Sequence, residues 1–214
     1  MATKKGKQVR GFWSNYKRLP LIFFLYITLC LISTPSSAWA AYIYTELLPL
    51  GWSQVYAESI NDKGDVVGWG QAGTMQKGFL YSRGVYTELL PPDWAEAHPT
   101  GINDKGDVVA WGTEGTVRKG FLYSRGVYTE LLPPDWVFAY PEGINDKGDV
   151  VGRGFDGTVH KGYLYRRGVY TELLPPGCDS AYPIGINDKR DVIGWADVIG
   201  VGTGCFIATP VRGK

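Results

Sequence analysis

Short apolar segments alternate with turn residues through most of the chain and predict β-strands. Pairs of adjacent apolar residues, such as Val108-Val109 and Phe121-Leu122, put apolar side chains on both faces of a strand. Gly, Pro, Asn and Asp fill the joints between these segments. No helical period is present after residue 40. The pattern therefore predicts an all-β fold whose sheets are packed on both faces.

The pattern repeats every 42 residues, with "YTELLP" beginning at Tyr44, Tyr86, Tyr128 and Tyr170. The period divides a single repeat domain, 41–214, into the units 44–85, 86–127, 128–169 and 170–214. A period of this length with four short strands per unit is typical of β-propeller blades. We predict a β-propeller-like fold with four-stranded blades, with an open β-solenoid as the alternative.

The two ends of the repeat domain suggest how it is completed. The last unit supplies three strand segments, and residues 42–48 form a fourth-strand segment that no first unit precedes. Pairing of 42–48 with 205–209 would cover both strand edges. This pairing would either close four blades into a ring or join an open arc to a second chain.

The stretch "NDKGD" recurs at Asn61, Asn103 and Asn145, and it reads "NDKRD" at Asn187. A calcium loop would need alternating oxygen ligands and a distant Glu, which are missing. A tight hairpin turn with Gly at positive φ fits better. Arg190 replaces that Gly in the last unit, at a cost of about 1 kcal/mol. We expect this turn to be the least well formed, and Arg190→Gly to raise the melting temperature.

The first forty residues differ from the repeats. A basic stretch precedes the apolar run 19–32, and Ala38-Trp39-Ala40 is typical of a signal-peptidase site. We predict a signal peptide over 1–40, with an uncleaved membrane anchor as the alternative. The mature protein is expected to be secreted, at the cell surface or in the periplasm. In such an oxidising compartment Cys178 and Cys205 are candidates for a disulfide, with two free thiols as the alternative.

Charge and motifs exclude several function classes. The chain has 22 Lys and Arg against 21 Asp and Glu, and this balance gives no electrostatic reason to bind nucleic acid. Neither a nucleophile elbow, nor a zinc-protease helix, nor a phosphate-binding loop is present. We therefore expect no cofactor, no metal site and no enzyme activity. An unrecognised hydrolase or lyase on a propeller is one alternative.

Two resemblances add to this interpretation. "GINDKGDVVA" followed by "KGFLYSRG" resembles the HAF-type extracellular repeat family of exported bacterial proteins, although Lys119-Gly120 stands where that family has His-Ala. The resemblance implies an exported, propeller-like protein without an assigned activity. The stretch Gly204–Thr209, "GCFIAT", resembles the start of the CFI box that ends many exported bacterial proteins. By the period, Gly204 corresponds to Gly78, so Cys205 and Phe206 would also fit a third strand.

The loops that vary between units are expected to lie together at one end of the blades. Aromatic residues among polar ones in such loops suit a glycan or a surface protein as partner. A recognition face is the favoured function, with a purely structural or assembly module as the alternative. Packing within the fold is the competing role for the aromatic residues that recur in phase. The candidate ligand-binding residues are Tyr56, Trp94, His98, Trp136, Phe138 and Tyr140.

Overall fold

A computed structural model describes residues 42–198 and 200–210. The predicted signal peptide, 1–40, lies outside these residues. The chain divides into two compact units, Met1–Thr45 and Glu46–Lys214, and all the described strands lie in the second. Within the described residues no helix is long and apolar enough to cross a membrane.

The described strands form four consecutive blades, each an antiparallel meander. Blade one contains β1 (Trp52–Ile60), β2 (Val66–Ala72), β3 (Met75–Ser82) and β4 (Val85–Leu89). Blade two contains β5 (Trp94–Ile102), β6 (Val108–Glu114), β7 (Val117–Ser124) and β8 (Val127–Leu131). Blade three contains β9 (Phe138–Ile144), β10 (Val150–Phe155), β11 (His160–Arg166) and β12 (Val169–Leu173). Blade four contains β13 (Ser180–Ile186), β14 (Val192–Val198) and β15 (Gly202–Ala208).

The predicted all-β, propeller-like architecture is confirmed, with a different phase from the sequence units. Each blade begins after a "YTELLP" segment, and before blades two to four that segment is the last strand of the preceding blade. The prolines that follow end this strand, since proline cannot donate to a ladder. Blades one to three therefore have four strands each, and blade four has three among the described residues.

Ring closure by strand 42–48 is not formed. Residues 42–48 have no strand conformation, and Ile43 is 95% exposed. The free faces of blades one and four are also exposed, as the side chains of Ile60 and Ile193 show. The blades therefore form an open series, because the first and last faces do not cover each other.

Adjacent blades pack through the first strand of the later blade. Strand β5 lies against β2 and β3, β9 lies against β6 and β7, and β13 lies against β10 and β11. Between blades one and two, Val67, Leu89 and Ile102 form one buried cluster. Burial of each such side chain contributes about 1.5–3 kcal/mol. The cores between blades explain why the sequence has adjacent apolar pairs.

A glycine on the third strand lets the next blade approach closely. A Cβ at Gly78 would lie 2.7 Å from Cγ of Pro99 on the next blade. In blade four this position belongs to Cys205, because Phe206 pairs with Gly194 as Phe79 pairs with Gly68. The sequence period assigned it to Gly204, and the difference arises because the β14–β15 loop is one residue longer. The same fit recurs for Gly120 with Pro141 and for Gly162 with Pro183.

Candidate functional site

The "NDKG" segments form tight turns between the first and second strands of each blade. In blade two, Oδ1 of Asn103 accepts hydrogen bonds from the backbone N–H groups of Lys105, at 3.0 Å, and Asp107, at 2.9 Å. Gly106 closes the turn at φ 82°. The asparagine thus replaces backbone acceptors in a geometry that suits this short amide side chain.

These turns also connect the blades, which the sequence did not indicate. Nδ2 of Asn61 donates to the carbonyl of Asn103 at 3.0 Å, and Nδ2 of Asn103 donates to the carbonyl of Asn145 at 3.1 Å. The backbone N–H of Asp62 donates to Oδ1 of Asp104 at 2.8 Å. Both bonds recur from each blade to the next up to blade four. We call this series the turn ladder.

The turn ladder borders a polar hollow of about 300 Å³ that all four blades line. Its carboxylates are Asp62, Asp104, Asp146 and Asp188, and three of them accept a backbone hydrogen bond from the preceding blade. Among the described residues no group of three or more His, Cys, Asp and Glu side chains has the arrangement of a metal site. The hydrogen bonds from each turn to the next assign the ladder to holding the blades together.

Arg190 does take the positive φ predicted for its turn, at 69°, but the turn is fully formed. Its backbone N–H donates to the carbonyl of Asn187 at 2.9 Å, like the glycines of the other turns. Its side chain donates from Nε to Oδ2 of Asp149 in blade three, at 2.6 Å. The expectation of a poorly formed turn is wrong, because this ion pair to a buried carboxylate offsets the backbone strain.

A stack of rings runs across the blades at the level of the first two strands. Tyr56 stacks on Trp69 at 4.5 Å, and Trp69 contacts His98 of the next blade at 4.6 Å. In blade three the tryptophan position holds Arg153, whose guanidinium lies 5.2 Å from the ring centre of Tyr140. We call this series the ring stack; its other members are Trp111, Tyr182 and Trp195.

His98 is a buried member of the ring stack. It lies flat against Trp111, with ring centres 4.1 Å apart, and its Nε2 is 3.3 Å from Oε2 of Glu96. Burial lowers the pKa of His98, and the hydrogen bond to Glu96 only partly opposes this effect. Burial raises the pKa of Glu96, but hydrogen bonds from Thr113 and His98 outweigh it and leave the pKa lowered. His98 is therefore a packing residue that stays neutral near pH 7.

A second aromatic cluster lies at the opposite end of blade three from the turn ladder. Phe138 stacks on Phe155 at 5.9 Å, and Phe155 contacts His160 at 5.0 Å. The three residues are cross-strand neighbours on β9, β10 and β11. We call Phe138, Phe155 and His160 the blade-three patch. Its rim includes Tyr182 of blade four, whose ring centre is 5.9 Å from that of His160.

The same three positions are polar in the other complete blades. Blade one has Gln54, Gln71 and Gln76, and blade two has Glu96, Thr113 and Arg118. In blade two, Glu96 is hydrogen-bonded to Thr113 and to His98. Arg118 instead donates from Nη1 to the Tyr140 hydroxyl at 3.0 Å. Among the complete blades, these cross-strand positions carry aromatic rings only in blade three, where His160 is exposed.

The structure separates the predicted contact residues into two groups. Phe138 and Tyr140 lie in or beside the blade-three patch, and Tyr56 lies at the exposed end of the ring stack. Trp94 is buried against Phe121 of its own blade, and Trp136 is half-buried against Tyr163. Trp94, Trp136 and His98 thus serve packing, the tryptophans within their own blades rather than between blades.

The predicted disulfide is not formed, since Cys178 and Cys205 are both free. Cys178 precedes β13, and Cys205 lies on β15, with β14 between these strands. Two strand spacings alone place the cysteines at least about 10 Å apart. A disulfide cannot bridge Cα atoms more than about 7 Å apart.

Some members of these features were not among the candidate residues. Trp69 and Trp111 belong to the repeated second strand, where they were interpreted only as part of a constant motif. Phe155 and His160 flank the β10–β11 turn, and an in-phase comparison with Gln71 and Gln76 would have identified the change from polar to aromatic. The signal was therefore present, at positions where one unit differs from the others.

Comparison with known proteins identifies no family for this chain. No protein-family model matches the chain, and no curated protein matches it. A solved streptogramin B lyase structure has 20% identity and a TM-score of 0.42, over 74% of this chain and 56% of that one. A catalytically inactive virginiamycin B lyase from Staphylococcus aureus, with quinupristin, has 21% identity and a TM-score of 0.41, over 76% and 58%. The chain thus spans just over half the length of these structures.

The expectation that the chain is not an enzyme is contradicted. The solved structures that it resembles are lyases. A likeness at this identity and TM-score transfers no activity or residue role to this chain.

Proposed function

We propose that this chain is an exported binding module that contacts a glycan or a surface protein through its variable-loop end. The N-terminal pattern of a signal peptide and the HAF-like repeats support export. The blade-three patch supports the contact, because it is the place where a position that is polar elsewhere becomes a cluster of rings. We take the patch as the centre of the binding surface.

The chemistry around the patch fits this role. Rings at the surface offer large apolar area with little conformational entropy to lose. Polar groups lie at its rim: Arg118 on the Tyr140 hydroxyl, and the Asp156 carboxylate on Lys161 at 2.8 Å. Flat rings beside fixed charged groups suit the apolar face and the hydroxyls of a sugar, or an aromatic-rich protein surface.

A comparison of binding before and after removal of the patch tests the proposal. The purified protein is applied to a glycan array and, in parallel, to immobilised extracellular surface proteins. A triple variant gives blade three the residues of blade one: Phe138→Gln, Phe155→Gln and His160→Gln. The control replaces Gln54, Gln71 and Gln76 with Ala. We expect the triple variant to lose at least tenfold in affinity and the control to retain it.

The two arms identify the class of partner. Signals on the array alone assign a glycan, and signals on surface proteins alone assign a protein. Equal binding by the wild type and the folded triple variant, or no binding in either arm, would overturn the proposal.

A further inference from the structure

Each contact between blades joins two different faces. The later blade contributes its first strand, with Ile102 buried in blade two, and the earlier blade contributes its second and third strands, with Val67 fully buried in blade one. We call these the head face and the tail face. Three such contacts occur, and they leave the head face of blade one and the tail face of blade four without a described neighbour.

Both free faces expose apolar side chains that are buried elsewhere. On the head face of blade one, Ile60 is 67% exposed, whereas its counterpart Ile102 is 7% exposed. On the tail face of blade four, Ile193 is 49% exposed, whereas its counterpart Val67 is fully buried. The remaining counterparts of Ile193, which are Val109 and Val151, are also fully buried.

The turn ladder has two open ends with matching chemistry. In the described residues Nδ2 of Asn187 bonds only to Asp191 of its own turn, whereas each earlier asparagine also donates to the next blade. The backbone N–H of Asp146 donates to the Asp188 carboxylate in blade four, but the backbone N–H of Asp188 has no such acceptor among the described residues. At the other end, no described residue donates to the Asn61 carbonyl or the Asp62 carboxylate from a neighbouring blade, as Asn61 and Asp62 themselves donate to Asn103 and Asp104. The donors at one end fit the acceptors at the other.

The two free faces also differ from the internal contacts by a pair of compensating substitutions. Internally, a third-strand glycine such as Gly78 faces a proline such as Pro99, with no room for a Cβ. The tail face of blade four has Cys205 at the glycine position, and the head face of blade one has Ala57 at the proline position. A cysteine facing a proline would clash. A cysteine facing an alanine fits, because the smaller alanine leaves room for the side chain that the glycine lacks.

We propose that a second copy of this chain docks head to tail, with the head face of one copy on the tail face of the other. Two copies joined this way at both ends would give eight blades, within the range of closed propellers. The contact would bring Glu46 and Leu47 of the second copy beside β15, in the position that Glu88 and Leu89 hold beside β3. The interface is thus the one already used three times within the chain.

A disulfide between copies tests the contact. In the full chain, Cys30→Ser and Cys178→Ser leave Cys205 as the sole thiol. Adding Ala57→Cys should then give a disulfide-linked pair of chains under mild oxidation, reversed by reductant. The matched control adds Glu58→Cys instead; Glu58 is the next residue, and its carboxylate points to Trp69 of its own blade, at 2.9 Å. We expect at least fivefold less cross-linked product from this control.

A benchmark within one chain calibrates the geometry. Gly78→Cys with Pro99→Cys, in a background with Cys205→Ser, places the same two positions on adjacent blades and should give a disulfide within one chain. Equal cross-linking by Ala57→Cys and Glu58→Cys, or cross-linking by neither while circular dichroism shows a folded chain, would overturn the proposal. In the Ala57→Cys variant, a disulfide from the introduced cysteine to Cys205 of the same chain would overturn it as well, because four blades would then close on themselves.

Discussion

At the scale of single residues, the positions where one repeat differs from the others carry the most information. Arg190 is such a position, because the other units have glycine there. Arg190 combines a strained backbone with an ion pair to Asp149, whose side chain is only 4% exposed. A hydrogen bond to a charged group contributes about 1.5–3 kcal/mol. The strain of a positive φ costs about 1–2 kcal/mol.

Arg190→Gly is therefore expected to lower the free energy of unfolding by about 1 kcal/mol, which reverses the expectation from sequence. The measurement is urea denaturation of both proteins. Arg190→Ala serves as the control; it should be less stable still, since it loses the ion pair and keeps the strain. A variant Arg190→Gly more stable than the wild type would show that strain outweighs the ion pair.

Tyr163 is the opposite case, because its buried hydroxyl destabilises the fold and no described interaction offsets this loss. Its hydroxyl is fully buried and has no hydrogen-bond partner among the described residues, and burial raises its pKa well above the usual range. Phe79, Phe121 and Phe206 occupy the same position in the other blades. Tyr163→Phe should raise the free energy of unfolding by about 1–3 kcal/mol, because it removes an unsatisfied buried group. Thermal denaturation will measure it, and a loss of stability would mean that the hydroxyl has a partner.

His98 makes the stability of the protein depend on pH between pH 7 and pH 5. Because its pKa is lowered in the folded state, the unfolded chain binds the proton first as pH falls below about 6.5. The stability present above that pH should therefore decline, by about 1 kcal/mol for each unit by which the pKa is lowered. His98→Tyr, which installs the residue of the other blades, should remove the decline between pH 7 and pH 5. An unchanged pH profile in urea denaturation would count against the neutral, buried histidine.

At the scale of elements, the turn ladder separates the contribution of a turn from that of a blade contact. Asn145 and Asn187 make the same bonds within their turns, but only Asn145 also donates to the next blade. Asn145→Ala should cost about 2–3 kcal/mol and Asn187→Ala about 1 kcal/mol less. The measurement is the midpoint of urea denaturation for both variants in an Ile193→Glu background, which keeps the chain a single copy and so leaves Asn187 without an acceptor from a second copy. Equal losses would mean that the bond between blades adds nothing.

The strands and turns themselves were predictable from the sequence, because their determinants are local. Alternation, adjacent apolar pairs such as Val108-Val109, and the Asn-Gly turn chemistry fix each meander. The partners of these elements in neighbouring blades were not predictable. Asn103 donates to Asn145, and Gly78 leaves room for Pro99, and both roles depend on contacts with the next blade. The one-residue shift at Cys205 likewise depends on a loop length that the period conceals.

At the scale of the whole molecule, the candidate site was predicted in part. The variable-loop end was expected to carry the contacts, and Phe138 lies there in a cluster of rings. Trp94 and His98 were expected at that surface and are buried, Trp94 against Phe121 of its own blade and His98 between Trp69 of the preceding blade and Trp111. A sequence shows which positions repeat, but the packing within and between blades determines which of these side chains are exposed.

The mass of the purified chain in solution tests the central claim. We claim that the same contact joins every pair of adjacent blades, and that the free head face of blade one and the free tail face of blade four form this contact between two copies. Sedimentation equilibrium should give a two-copy species for the wild type and for Val169→Glu, a change on the exposed outer strand β12. Ile193→Glu, which places a charge on the tail face, should give a single copy. A wild type that is a single copy at every concentration, or a two-copy species that survives Ile193→Glu, would contradict the claim.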